Sequence, residues 1–389
     1  MKFLTPSALY MGALAAFVGY AASFAIVLAG LKAMGASGEQ AATGLFFATL
    51  GMGLCSIVIP WITRTPAAVA WSTPGAAFMA ASPLLAGGFA EAVGAMIICA
   101  VLITLTGVVP VLARLVAAIP KPIGSALLAG VLLKLCFAPA LALGSLPLLM
   151  VPILVAWVVG LVWNRMLAMP LAVAAFVLVL IFGGEASHSA GGMIDWAIRY
   201  DWIAPEFSLG SAISVALPLY LVTMAGQNIP GFAVLEMNGY LADRPFLLRS
   251  TGVASLAIAP FGAVPMNMSA ITASMMAGVD AGRDPTGRYW AAIVSGVCYV
   301  ALAFLASAVT SLVTLAPIEL ITAVAGLALI PAFVTAIQSA FSDAAQLEAP
   351  ALTFLITASG MALFGISGAV WGVLAGVLVW GVKGSFKRN

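Results

Sequence analysis

The sequence predicts an all-α polytopic membrane protein with fourteen transmembrane segments, built as two inverted seven-helix repeats in which segments 3 and 10 are broken. Three observations carry this. The 389 residues are 63% hydrophobic and 7% charged, whereas soluble domains are about 25% charged. The apolar tracts leave room for roughly twelve to fourteen crossings at about 20 residues each. Finally, two Pro/Gly-rich interruptions fall at corresponding places in the two halves, where uninterrupted helix would otherwise be expected.

The elements follow in order. Residues 7–31 form helix 1, too long an apolar run for a signal peptide. Helix 2 covers 38–62 and opens on Ser37-Gly38-Glu39-Gln40, a capping-box sequence. The broken segment 3 spans 66–82. Helices 4 to 7 cover 89–113, 121–143, 146–163 and 168–184. A polar interval follows, and its Met193, Ile194, Trp196, Ile198 and Trp202 set against Asp195, Arg199 and Asp201 suit a short amphipathic interfacial helix. The second half gives helix 8 at 209–238, helix 9 at 245–259, broken segment 10 at 261–279, then helices at 285–310, 317–340, 344–364 and 367–384. The repeats are thus 1–190 and 208–389, joined by a connector at 191–207 on the outer side. Seven spans per half force opposite orientations, as in many secondary transporters.

Charge supports this count. With the N-terminus in the cytoplasm, Lys2, Arg64, Arg114, Lys121, Arg165, Arg244, Arg249, Arg283, Arg288, Lys383, Lys387 and Arg388 fall inside. Only Lys32 and Arg199 fall outside, and Lys134 stays within the membrane. That is a strong positive-inside bias with both termini cytoplasmic. The small net charge of +2 gives no reason to expect nucleic acid as a partner.

In segment 3, Pro66 and Pro74 oppose continuous helix. An extended Pro66–Ser72 covers about 20 Å. A helix from Thr73 to Ser82 adds about 15 Å, enough to cross a core of about 30 Å. Ser72 or Thr73 suits the N-cap and Pro74 the first turn. In segment 10, Pro260, Gly262 and Pro265 break the run, and Asn267 is the expected N-cap of a helix reaching Gly278. Both half-helices then point their N-termini, the positive dipole ends, at the membrane centre. Paired broken segments of this kind are the best sequence pointer to a transporter's binding site.

Other polar residues need partners. Helix 8 carries Thr223, Gln227 and Asn228 before Pro230; such carboxamides serve either as interhelical glue or as substrate contacts. Tyr20 in helix 1 serves either packing or a pocket wall. Lys134 in mid-span, with Glu319 or Glu348 as partners, is a proton-coupling candidate together with Glu236 and Glu319. His188, the single histidine, falls in the external loop. The four cysteines are widely spaced core residues, no cluster suggests a metal, and no cofactor motif is present.

Three motifs in order resemble one family. Trp71-Ser72-Thr73-Pro74-Gly75-Ala76-Ala77, then Thr223-Met224-Ala225-Gly226-Gln227-Asn228-Ile229-Pro230-Gly231, then Ala259-Pro260-Phe261-Gly262 with Asn267 and Ala270-Ile271-Thr272-Ala273, are similar to the benzoate/proton symporters, the BenE family. The resemblance covers essentially the whole chain. It implies proton-coupled benzoate uptake across a bacterial inner membrane, with a small carboxylate, protons and the lipid bilayer as partners and a homodimer left open. It also implies the seven-plus-seven fold of nucleobase, ascorbate and sulfate transporters. There segments 1–4 and 8–11 form a core domain and segments 5–7 and 12–14 a gate domain, with substrate between segments 3 and 10. Nucleobase members carry acids in helices 8 and 10; here the corresponding regions offer Gln227, Asn228, Ile271 and Thr272. That departure favours a carboxylate ligand and leaves the proton carrier unnamed.

The expected site is therefore Tyr20, Ser72, Thr73, Gly75, Ala76, Phe78, Gln227, Asn228, Asn267, Met268, Ser269 and Thr272. In it the N–H groups of Gly75, Ala76, Met268 and Ser269 hold the carboxylate, Gln227 and Asn228 orient it, and Tyr20 and Phe78 form aromatic walls. The competing readings are a nucleobase or other small-anion carrier of the same fold and, more remotely, a channel. A membrane-embedded enzyme is a remote third reading, because no paired acids or Ser/His/Asp arrangement lies at membrane depth in this sequence.

Overall fold

The computed structural model describes residues 4–182, 196–198, 200–314, 316–344, 346–364 and 366–386. Its helices begin where the sequence offers a cap or a proline. Helix α1 (Pro6–Ala21) starts at Thr5, whose side chain accepts from the Ala8 N–H, and runs into α2 (Phe24–Ala33). Helix α3 (Gly38–Thr63) opens on the expected capping box. Ser37 Oγ accepts from the Gln40 N–H, and Gln40 Oε1 accepts from the Ser37 N–H. Strand β1 (Val69–Trp71) then leads into the short helix α4 (Thr73–Ala81).

Helix α5 (Gly88–Thr106) ends earlier than the expected residue 113. Pro110 cannot donate within a helix and clashes with the preceding turn, so it instead opens a separate short helix, α6 (Pro110–Ala117). Helices α7 (Lys121–Ser145), α8 (Pro147–Trp163) and α9 (Ala168–Phe182) complete the first half. Of the connector expected as an amphipathic helix, Met193, Ile194, Asp195 and Arg199 lie outside the described residues, as does His188. Its described part is not helical. It is tied down as an extended strap, with Ile203 N–H donating to Pro260 O and Glu206 N–H to Ala90 O.

The second half opens with α10 (Leu209–Met237), which contains two π-helical turns, at Ala212–Ala216 and Met224–Asn228. Helix α11 (Arg244–Ile258), strand β2 (Met266–Met268) and helix α12 (Ala270–Ala277) follow. Then come α13 (Tyr289–Ala303), α14 (Ala306–Thr314), α15 (Ile318–Ala340) and α16 (Glu348–Ser359). A hairpin of β3 (Ala362–Leu363) and β4 (Ile366–Ser367) joins α16 to α17 (Gly368–Phe386).

Among the described residues, seven helical stretches are each long and apolar enough to cross a bilayer, and Pro285–Ala303 with Ala306–Val313, bent by 60°, make an eighth together. The other expected spans coincide with shorter helices (α8, α11, α16, α17) and with the two strand-plus-helix units. Helices α8 and α9 expose Leu148, Val162, Trp163 and Phe182, an apolar exterior that suits lipid as solvent. Inside, α1 and α3 pack on α13 and α5 packs on α11, while α7 packs on α15, α16 and α17.

Candidate functional site

The two broken stretches meet. Strands β1 and β2 pair antiparallel, with Ala70 opposite Asn267. The ladder extends through Ser72 N–H to Pro265 O (2.8 Å) and Ser269 N–H to Ala68 O (2.9 Å). A two-stranded ribbon leaves outward-facing N–H groups that must be paired when buried. Flanking helices pair them. Val69 N–H donates to Ser56 Oγ of α3 (3.3 Å), Met266 N–H to Ser255 Oγ of α11 (2.8 Å), and Met268 N–H to Asn228 Oδ1 of α10 (2.9 Å).

Each strand feeds a half-helix at its far end. Ser72 is the N-cap of α4, its Oγ accepting from Gly75 N–H (3.0 Å) while its carbonyl accepts from Ala76 N–H (2.7 Å). The Ser72 hydroxyl also bonds the Thr223 hydroxyl of α10 at 2.6 Å. At α12 the cap is Ser269, whose Oγ accepts from Thr272 N–H (3.4 Å). The expected cap, Asn267, instead sits in mid-strand, because the ribbon continues two residues further than the sequence suggests. With its amide turned so that Nδ2 donates to Met268 O (2.9 Å), its Oδ1 accepts from Ser72 N–H (3.1 Å).

This corrects the expected carboxylate seat. The N–H groups of Gly75, Ala76, Met268 and Ser269 are all consumed by the protein. Those of Thr73, Ala270 and Ile271 find no partner among the described residues, as expected for the first turn of a helix.

A cavity of about 80 Å³ lies where the two half-helices start, closed from the other side by α7 and α15. Ser23, Thr73, Gln227, Ser269, Thr272 and Tyr299 supply its polar lining, and the Thr73, Gln227 and Tyr299 side chains make no hydrogen bond to the described residues. The Thr272 Oγ1 is buried without a partner. Trp71, Met52, Leu132, Ile271 and Leu329 form apolar walls, and no charged side chain lines the cavity. Trp71 is held by its Nε1–H donating to Ser23 Oγ (2.8 Å), which in turn donates to Gly19 O (2.7 Å). Gly19 also lets Tyr299 in: a Cβ there would lie 2.6 Å from the Tyr299 hydroxyl.

Several expected site residues stand elsewhere. Gln227 and Asn228 are adjacent, yet Gln227 faces the cavity while Asn228 is fully buried, braced on Met268 N–H and Met224 Sδ. They part because neighbouring residues on a helix point to different faces, here within the π turn at Met224–Asn228. Gly75 and Ala76 are buried in packing away from the cavity lining. Tyr20 is a second layer behind Trp71, their ring centroids 5.6 Å apart, with its hydroxyl buried and unpartnered. Phe78 lines a different, wider cavity of about 440 Å³, together with Lys134 and Glu91. Among the coupling candidates, Glu236 is an exposed partner of Arg244 (2.7 Å) and Glu319 is exposed in the first turn of α15, while Glu348, expected as a possible partner of Lys134, pairs with Lys383 instead. None of them reaches the central cavity, since their helix positions put them at the bundle ends. Tyr299 was not foreseen; its one sequence signal is a tyrosine within an otherwise apolar span.

These features match known proteins. A family model described as "Benzoate membrane transport protein" (BenE) matches residues 2–382. The chain belongs to the BenE family. Within it, the benzoate membrane transport protein of Acinetobacter baylyi is 32% identical over 380 residues, covering 96% of this chain and 94% of that protein. The inner membrane protein YdcO of Escherichia coli is 33% identical over 373 residues, covering 96% and 95%. This BenE chain is thus a membrane transporter and not an enzyme. Its fold is that of the transmembrane domain of a cyanobacterium bicarbonate transporter, BicA, with TM-score 0.59 and 14% identity over 96% of both chains. It is also that of SLC26A9, with TM-score 0.65 and 12% identity over 97% of this chain and 65% of the other. A murine Slc26a9 anion transporter in the inward-facing state aligns with TM-score 0.65 and 11% identity over 100% of this chain and 69% of the other.

Proposed function

We propose that this transporter imports benzoate or a similar small aromatic carboxylate across the bacterial inner membrane by proton symport. The reading rests on the central cavity. Unpartnered neutral donors gather there at the start of two opposed half-helices, beside aromatic and aliphatic walls. Thr73, Gln227, Thr272 and Tyr299, with the free first-turn N–H groups, offer the carboxylate its hydrogen bonds; Trp71, Leu132 and Leu329 flank the ring. Hydrogen bonds to an ionised group are the stronger kind, and the dipole ends of the two half-helices add to them.

The absence of charge in the lining bears on coupling. An anion seated among neutral donors has no permanent counter-charge, and an unpaired charge in a low-dielectric site is costly. A proton travelling with the substrate removes that cost, whether on the carboxylate itself or on a nearby group. Fourteen crossings in two inverted repeats, with both termini cytoplasmic, fit the charge distribution. In this reading segments 1–4 and 8–11 form the core domain and segments 5–7 and 12–14 the gate domain that slides past it. The central cavity then lies at their boundary, reached alternately from either side.

Uptake of radiolabelled benzoate into proteoliposomes carrying the purified chain tests this. Concentrative uptake driven by an inward proton gradient, abolished by an uncoupler and unaffected by excess uracil, is the expected result. Uptake that only equilibrates would indicate a channel, and strong competition by uracil would indicate a nucleobase carrier.

A further inference from the structure

The wider cavity of about 440 Å³ carries polar groups that the central site leaves unused. Lys134, near the middle of α7, is exposed to this cavity and makes no ion pair or hydrogen bond with the described residues. The Thr357 hydroxyl of α16, a residue only 7% exposed, and the Ser367 hydroxyl beside α17 are both buried without partners on the same cavity's wall. Their closeness follows from helix packing. Gly130 and Lys134 share one face of α7, while Thr357 and Gly360 face them from the end of α16. A Cβ at Gly130 would fall 2.7 Å from Thr357 Cβ, and one at Gly360 would overlap Lys134 Nζ. Gly360 adopts φ +65°, which closes α16 and brings the chain over the ammonium. The rest of the lining is mainly apolar, including Phe78, Leu84 and Val131. Glu91 lies on this cavity too, but its two carboxylate oxygens already accept from Gly87 N–H and the Ser208 hydroxyl.

From this arrangement we infer a second anion-binding subsite, centred on Lys134, Thr357 and Ser367, that takes a carboxylate on its route to the central cavity. The ammonium supplies the counter-charge that the central lining lacks, and the two orphaned hydroxyls donate to the same carboxylate. The apolar wall around Phe78 receives the ring. The site would therefore gather substrate before the neutral cavity accepts it. The inference rests on the benzoate reading for its choice of probe.

Equilibrium binding of radiolabelled benzoate to the full chain in lipid nanodiscs tests it. The wild type is expected to bind at two sites per chain. Lys134→Met should remove one of them and Lys134→Arg should keep it. Thr357→Val, close in shape, should weaken that site about tenfold, the loss expected for one hydrogen bond to a charged group. Gln227→Leu should weaken the other site and spare the one at Lys134. Identical stoichiometry and affinity in wild type, Lys134→Met and Thr357→Val would overturn the subsite. Binding that survives Gln227→Leu unchanged but disappears in Lys134→Met would overturn the central-site reading and leave the subsite standing.

Discussion

The two strand-plus-half-helix units look alike in sequence and are built for different work. In the first, α4 is packed from Pro74 to Met79 with every one of those residues buried, held between α2 and α10. Its cap is locked twice, by Gly75 N–H and by the Thr223 hydroxyl. In the second, α12 leaves Ile271 60% exposed at its first turn and places Thr272, its hydroxyl buried and unpartnered, on the cavity wall. The far end of α12 is in turn secured by Arg288, whose guanidinium donates to Ala277 O and Gly282 O, a cation where the helix dipole is negative. In our reading, a helix start inside a long apolar tract points to a site without saying which half faces the ligand. On the same reading the first unit meets substrate only through Trp71 and Thr73, ahead of a packed helix that acts as scaffold, while the second presents the first turn of its helix.

Substitutions at matched positions can break or sharpen that contrast. The largest effect is expected at Gly75→Val. The added Cβ would lie 2.6 Å from Ser72 Oγ and 2.7 Å from Leu219 Cδ1, and overpacking of this kind costs about 1–3 kcal/mol or more. A sharp fall in melting temperature in detergent should result, whereas Ile271→Ala on the second unit should leave melting nearly unchanged. If the two variants melt alike, the scaffold-versus-face distinction is wrong.

Next comes Asn228→Ala against Gln227→Leu. The first strands the buried Met268 N–H and should cost about 1–3 kcal/mol of stability. The second should hold its melting temperature while raising the benzoate KM, since its amide braces nothing. Thr272→Val should likewise raise KM about tenfold without a stability loss, as expected for one hydrogen bond to a charged group; equal uptake kinetics in wild type and variant would remove Thr272 from the site. The smallest difference is expected between Ser56→Ala and Ser255→Ala. Each removes the acceptor of one strand N–H, so both should destabilise by a similar amount, about 1–3 kcal/mol, visible as matched shifts in thermal melting.

Much of this was legible in the sequence, and its limits are specific. The capping box at Ser37, the stop before Pro110 that a stricter reading of proline would have placed, and the start of α4 after Ser72 all depend on neighbours in the chain. Helix punctuation is local chemistry, so it can be read locally. The cap of α12 was misplaced by two residues because Asn267 is a good cap in isolation, and only its pairing with Ala70 draws it into a strand. Tyr299 was missed because a tyrosine in an apolar span looks like packing until Gly19, far away in the chain, opens room for its hydroxyl.

By itself, then, the sequence determined a membrane chain with two opposed interruptions, helix starts at their centre, and a lining without acids. What the tertiary structure decided was which polar groups remain free. The Gly75, Ala76, Met268 and Ser269 N–H groups are spent on the protein while Thr73, Gln227, Thr272 and Tyr299 are not. Part of that pairing is local, as when Ser72 caps α4. The rest joins residues far apart in the chain, as Asn228 does Met268 and Ser72 does Thr223. Such pairing is a property of elements brought together by packing and strand pairing, and no spacing along the chain encodes it.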